Sequence, residues 1–144
     1  MKIDGRCHCG YINYEADIDP AKVMICHCTD CQMLSGSAFR TVALTLENTF
    51  RLVSGNLKCY VKTGESGTKR LQCFCPECGT PIYSSPVCDA PKVCSIRVGT
   101  ARQRGELVPK VQLWARSAQA WTGKIDDIRK IDTQPPFDDR GDME

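Results

Sequence analysis

No stretch of this chain approaches the ~20 consecutive apolar residues that a membrane-spanning helix requires. Its opening residues, Met1-Lys2-Ile3-Asp4-Gly5-Arg6, contain no apolar core of the kind that marks a secretory signal. A cytoplasmic protein with no membrane partner is therefore expected. Low-complexity segments are missing, and nothing repeats beyond two short cysteine knuckles, which excludes solenoids and compositional tracts. Charge of one sign is missing as well: 19 basic side chains face 17 acidic ones, a formal balance of +2. Nucleic-acid binding would have to draw on Lys58, Lys62, Lys69, Arg70, Arg102, Arg104 and Lys110, which lack the interleaved aromatics of a stacking surface. They read as a solvated face.

Hydrophobic residues at 42% and charged ones at 25% form an ordinary globular balance, and 144 residues suffice for one domain. A domain of this size buries about two-thirds of its unfolded surface. The expected division is a single domain over 1–133, followed by a loose, acidic, proline-interrupted tail over 134–144.

Cysteine is the residue in excess. There are eleven, an odd count that fits a disulfide framework poorly when no export signal accompanies it. In a reducing compartment, closely spaced cysteines read instead as metal ligands. Two clusters stand out, and they differ in size.

The first is split: Cys7-x-Cys9-Gly10 near the start and Cys75-x-x-Cys78-Gly79 past the middle. Two short knuckles from distant segments are the usual way to close a four-thiolate structural zinc. Gly10 and Gly79 each follow the last cysteine of a knuckle, where a tight turn needs φ > 0 so that backbone N–H groups can reach the sulfurs. Binding one ion would tie the start of the chain to its second half, worth a few kcal/mol by analogy with a disulfide.

The second cluster is one compact loop, Cys26-His27-Cys28-Thr29-Asp30-Cys31. Three thiolates can converge on an ion and leave its fourth position open, the mark of a catalytic zinc. A structural alternative stays open here, with a fourth ligand drawn from Cys73, Cys59, His8 or His27. His27 itself lies between ligands, as a group behind the metal or facing substrate, or as a spacer. Seven ligating thiolates and two zinc ions per chain would bring the net charge from +2 to about −1, which removes any argument from a basic balance. Three thiolates also make the second zinc a poor Lewis acid for water and a soft centre that suits sulfur. Sulfur chemistry is expected before hydrolysis. Of the remaining cysteines, Cys59 and Cys94 fall on the apolar faces of alternating strands and read as core thiols. Cys73 shares parity with Cys75 and is ambiguous, and Cys88 lies in a loop between prolines.

The rest of the pattern is β. Tyr11 to Ala16 reads as a strand ended by a turn at Asp19-Pro20, and Val23-Met24-Ile25 leads into the triple-cysteine loop. Thr29 or Asp30 can cap one helical turn through Leu34, stopped at Gly36. Strands are expected over 38–46, 50–53, 57–62, 69–74, 94–98 and 107–114, with apolar Leu57, Cys59 and Val61 on one face of their segment. Short strands at roughly ten-residue intervals, split by Gly and Pro turns, predict a mainly antiparallel β fold with short helical turns, one at 29–35 and one near 116–121.

With both clusters placed, the chain resembles the glutathione-dependent formaldehyde-activating enzyme family, which also includes centromere protein V. The resemblance rests on Gly5-Arg6-Cys7-His8-Cys9-Gly10, on Cys26-His27-Cys28-Thr29-Asp30-Cys31 with Ser35-Gly36-Ser37-Ala38-Phe39, and on Leu52-Val53-Ser54-Gly55. Phe74-Cys75-Pro76-Glu77-Cys78-Gly79-Thr80 and the segment from Trp114 to Trp121 complete it, in family order over about 1 to 131. It implies an antiparallel β-tent zinc-binding fold, a structural zinc on Cys7, Cys9, Cys75 and Cys78, and a second zinc on Cys26, Cys28 and Cys31. The implied activity is a carbon–sulfur lyase reaction, the reversible joining of formaldehyde and glutathione. The chain departs from the family pattern at Gln32-Met33, where basic residues are common, and at Gln112, where a histidine is common.

The expected function is that of a zinc-dependent carbon–sulfur lyase acting on a small-molecule thiol–carbonyl adduct, with glutathione as the thiol the resemblance implies. The zinc on Cys26, Cys28 and Cys31 would hold the sulfur in its open position while a carbonyl such as formaldehyde departs. His27 and Ser37 are proton-transfer candidates by proximity alone. The alternatives are a non-catalytic zinc module for a protein partner, which a fourth ligand on the second zinc would favour, and a nucleic-acid-binding domain.

Overall fold

One long strand organises the molecule, whose computed structural model describes residues 1–88, 92–137 and 140–141. β1 (Lys2–Arg6) leads into the first knuckle, and β2 (Asn13–Cys26) runs back antiparallel beside it and on to the triple-cysteine loop. β2 therefore joins the two cysteine clusters directly. Tyr14, Ala16 and Ile18 alternate along it and are buried, the period-two signature of a strand with one covered face.

The turn expected at Asp19-Pro20 is absent. β2 continues through it, and the register with β3 (Arg40–Thr45) shifts between Ile18 and Val23. Pro20 has no N–H to give a ladder, so it is tolerated in this exposed irregular stretch without losing a hydrogen bond. Here the strand also changes neighbours. Its first half pairs with β1 and with β4 (Arg51–Ser54), and its second half with β3.

The remaining strands are β5 (Lys58–Thr63), β6 (Lys69–Phe74), β7 (Pro81–Pro86), β8 (Ser95–Arg97) and β9 (Val111–Leu113). The main path of the sheet is β1-β2-β3-β8-β7-β6-β5, with β4 and β9 both added on β2. All pairings are antiparallel except β9, which runs parallel to the end of β2, Met24 opposite Val111. The fold is mainly antiparallel β, as expected. Helix is confined to α1 (Thr29–Ser35) and short 3₁₀ turns, including Ala115–Ser117 and Ala120–Asp127. Among the described residues, no helix is long and apolar enough to cross a membrane.

Ile3, Ile12, Tyr14, Ile18, Ile82 and Ile96 anchor a core that also takes in Cys7 and Cys75. Cys94 belongs to it as expected, and burial lifts its thiol to about 11. Cys59 does not. β5 ends the sheet path with one neighbour, β6, and its Cys59 and Val61 are exposed despite their alternation. Cys59 is bonded to Cys73, which is buried directly opposite on β6, so neither is a free core thiol. β7 was not apparent in the sequence because Ser84 and Ser85 interrupt its apolar pattern, yet both are buried. Cys88 is exposed, its following residues 89–91 lying outside the described residues, as do 138–139 and 142–144 of the expected tail.

The turn after β4 locks the first knuckle in place. Ser54 Oγ donates to the Tyr11 carbonyl at 3.0 Å, and the Asn56 N–H donates to the Tyr11 hydroxyl at 3.2 Å. Gly55 has φ +80° there, and a Cβ would lie 2.6 Å from the Tyr11 carbonyl oxygen. Gly55→Ala is therefore expected to cost about 1–3 kcal/mol, from the left-handed backbone and the clash together. Urea denaturation checks this, and an unchanged midpoint would contradict it.

Candidate metal centres and active site

The sulfurs of Cys7, Cys9, Cys75 and Cys78 lie within 4.8 Å of one another. Cys7 and Cys9 are 3.5 Å apart and Cys9 and Cys75 3.8 Å. Four sulfurs each 2.3 Å from a tetrahedral zinc would stand about 3.8 Å apart, so the set fits that ion. Both knuckles are shaped by their glycines: Gly10 at φ +84° and Gly79 at φ +75° turn so that their N–H groups meet the carbonyls of Cys7 and Cys75. The Ile12 N–H points at Cys7 Sγ, 3.2 Å away. Thr80 joins the two knuckles, its Oγ1 accepting from the His8 N–H at 3.1 Å and lying 3.1 Å from Cys78 Sγ. That hydroxyl is the main reason the Cys78 thiol is drawn down to about 5. The spacing had located all four cysteines, but it gave no sign of Thr80.

Cys26, Cys28 and Cys31 form the second cluster, again with sulfurs within 4.8 Å, and no fourth His, Cys, Asp or Glu joins them among the described residues. None of the fourth ligands considered joins the cluster. Cys59 and Cys73 are bonded to each other, His8 sits on the other knuckle, and His27 Nε2 is 2.7 Å from Gln112 Oε1. The cap of α1 is Cys28 itself, not Thr29 or Asp30: its Sγ accepts from the Cys31 N–H at 3.3 Å. Gly36, at φ +63°, ends the helix where expected. The thiol of Cys26 is pulled down to about 5, first by the Cys31 thiol and then by the Cys28 N–H, while Cys31 is raised by the same contact.

His27 is buried, with its ring edge-on to Phe39 and its backbone N–H donating to the Leu113 carbonyl at 3.0 Å. With Nε2 donating to Gln112, Nδ1 is left buried without a hydrogen-bond partner. Gln32 Nε2 donates to the carbonyls of His27 (2.7 Å) and Ser117 (3.0 Å), and Gln119 donates to Gln32 Oε1 at 2.8 Å. Three glutamines thus fasten the cysteine loop to β9 and the turn after it. Two of them, Gln32 and Gln112, stand where the chain departs from the family pattern. That departure was the available signal. Gln112→Leu should cost about 1–3 kcal/mol by stranding a buried ring N–H, and a melting curve identical to wild type would contradict this.

Beside the loop opens a cavity of about 470 Å³, lined by Leu34 of α1, Arg40 of β3, Tyr60, Gln72, Phe74, Tyr83 and Arg97, with the Cys59–Cys73 bridge in its wall. Arg40 lies opposite Cys26 in the ladder. Lys62 of β5 reaches Asp30 of α1 at 2.7 Å and closes that end of the site. Arg97 of β8 alternates with the core residue Ile96 and is nevertheless buried too.

The glutathione-dependent formaldehyde-activating enzyme family model matches residues 2–117, a span that takes in both cysteine clusters. An uncharacterized lyase of Schizosaccharomyces pombe is 31% identical over 80 residues, 56% of this chain and 55% of that protein. The match therefore spans about half of that relative. A Rhodobacter sphaeroides protein of known crystal structure is similar in fold, with a TM-score of 0.58 at 22% identity, covering 76% of this chain and 98% of that one. By the extent and position of the family match, this chain belongs to the glutathione-dependent formaldehyde-activating enzyme family.

Proposed function

We propose that the protein is a zinc-dependent carbon–sulfur lyase that cleaves and forms a thiol–carbonyl adduct, S-hydroxymethylglutathione in the family's case, with two zinc ions per chain. One zinc would be structural, on Cys7, Cys9, Cys75 and Cys78, and the other would sit on Cys26, Cys28 and Cys31. The observation that carries the reading is the three-thiolate cluster with no fourth protein ligand among the described residues, placed beside a cavity of about 470 Å³. Family membership and similarity to a protein named a lyase support it.

Zinc bound to the loop would supply a soft centre able to hold the substrate sulfur as a thiolate. The chain's own residues set the stage for this. Cys28 aims its sulfur by capping α1, and Gln32 and Gln112 hold the loop and the His27 ring still. His27 is on this reading a positioning group, since it is buried and tied to Gln112. In the cleavage direction the carbon–sulfur bond breaks, its electron pair stays on sulfur, the adduct hydroxyl gives its proton to solvent water, and the O–H electron pair forms the carbonyl. Thiolate ligands require reducing conditions, and nine free cysteines support a cytoplasmic setting.

Carbon-13 exchange spectroscopy on formaldehyde and glutathione tests the reading. The zinc-loaded protein should speed exchange between free and thiol-bound carbon well above the uncatalysed rate. No acceleration with fully loaded protein would reject glutathione as its thiol.

A further inference from the structure

Two arginines with no acidic partner among the described residues stand in the wall of the cavity beside the three-cysteine loop. Strand register brings them there. Cys26 lies opposite Arg40 across β2 and β3, and Val42 lies opposite Arg97 across β3 and β8. Opposed residues share a face, and so do residues two apart on one strand. Cys26, Arg40 and Arg97 therefore project from the same side of the sheet. Gln72 of β6 meets them there, its Oε1 accepting from Arg40 Nη1 at 3.4 Å and from Arg97 Nη2 at 2.6 Å.

Arg40 and Arg97 are only 6% and 7% exposed, and among the described residues neither forms an ion pair. Gln72 is neutral, and the opposing charge that reaches the two guanidiniums comes from the cysteines of the loop, Cys26 and Cys31 for both and Cys28 for Arg40, with no hydrogen bond to either. Arg97 Nε is moreover buried with no hydrogen-bond partner among the described residues. Burial, and after it the charge of Arg40, draws the Arg97 pKa down to about 9. Buried arginines ordinarily answer to an anion, and a planar guanidinium matches the two oxygens of a carboxylate.

We propose that Arg40 and Arg97 clamp a carboxylate carried by the thiol half of the substrate, so that the site selects thiol acids over neutral thiols. This rests on the lyase reading above. Leu34, Tyr60, Phe74 and Tyr83 give the cavity apolar walls, and charge-assisted hydrogen bonds are strengthened in such surroundings. Arginines present only to offset the thiolate centre would affect every thiol alike. A clamp affects the acid alone.

Calorimetric titration of the zinc-loaded full chain with 3-mercaptopropionate, 1-propanethiol and propionate tests the clamp. Wild type should bind the thiol acid about tenfold or more tighter than the neutral thiol, the worth of one charge-assisted hydrogen bond. Arg97→Met should erase that preference, while Arg97→Lys, which keeps the charge but loses the fork, should retain part of it. If Arg97→Met does not fold, the ligand comparison on wild type decides, with Arg97→Lys as the variant. Equal affinity of wild type for the two thiols, or equal losses for both in Arg97→Met, overturns the clamp and leaves the lyase reading intact. Propionate and 3-mercaptopropionate bound alike by wild type but not by Arg97→Met, with 1-propanethiol unbound, keeps the clamp and removes the sulfur site. Binding of neither carboxylate overturns the clamp outright.

Discussion

Cys75→Ser and Cys78→Ser are each expected to leave little soluble, folded protein. Cys75 is fully buried, and its sulfur meets that of Cys9 from 66 residues away in the chain. Among the described residues, no disulfide and no second cysteine cluster joins the β1–β2 knuckle to the β6–β7 knuckle. An apparent binding energy of about 10–16 kcal/mol for a structural zinc equals or exceeds the whole stability of an ordinary domain, about 5–15 kcal/mol. Serine is a poor ligand for that ion. At position 75 it also buries a hydroxyl in the core. Cys78 is exposed, so the same substitution there tests the ligand role with little packing change. Solubility on expression, far-ultraviolet dichroism and melting temperature are the readouts. A Cys78→Ser protein that is soluble and melts with the wild type would remove this cluster from the structural role.

Both clusters were legible in the sequence because knuckle chemistry is local. A C-x-C-G or C-x-x-C-G turn specifies its own backbone, and α1 likewise begins and ends within the span from Cys28 to Gly36. What escaped was decided by strands distant in sequence. The alternation of Leu57, Cys59 and Val61 predicted a covered face, but β5 has a neighbour on one side only and leaves Cys59 and Val61 in solvent. Arg97 alternates with Ile96 as an outer residue should, yet the face it occupies lines a cavity. Gln32, Gln112 and Gln119 become meaningful only when β9 is laid beside the end of β2. Pro20 misled for a related reason. A proline marks a missing donor, and an irregular stretch in a continuing strand accommodates that as well as a turn does.

Cys28→Ser should separate function from fold. Cys28 has two duties, since its sulfur belongs to the three-cysteine cluster and also caps α1 by accepting from the Cys31 N–H. Serine is among the preferred capping residues, so its hydroxyl can take over the second duty, and the fold should lose no more than about 1 kcal/mol. It cannot take over the first. Groups that merely orient metal ligands are worth 10–100-fold, so losing a ligand should lower activity by about 100-fold or more. Cys28→Ala, which loses both duties, should show the same activity deficit together with a larger fall in stability. Chelation should reproduce this order in the wild type: the loop is a single short segment with an open position and should surrender its zinc before the four-thiolate site does. Activity would then disappear while the β-sheet spectrum persists. Zinc release followed colorimetrically beside activity and dichroism checks all three points. Loss of the fold together with the first equivalent of zinc would make the loop a structural site, and a binding module would become the better reading of the protein.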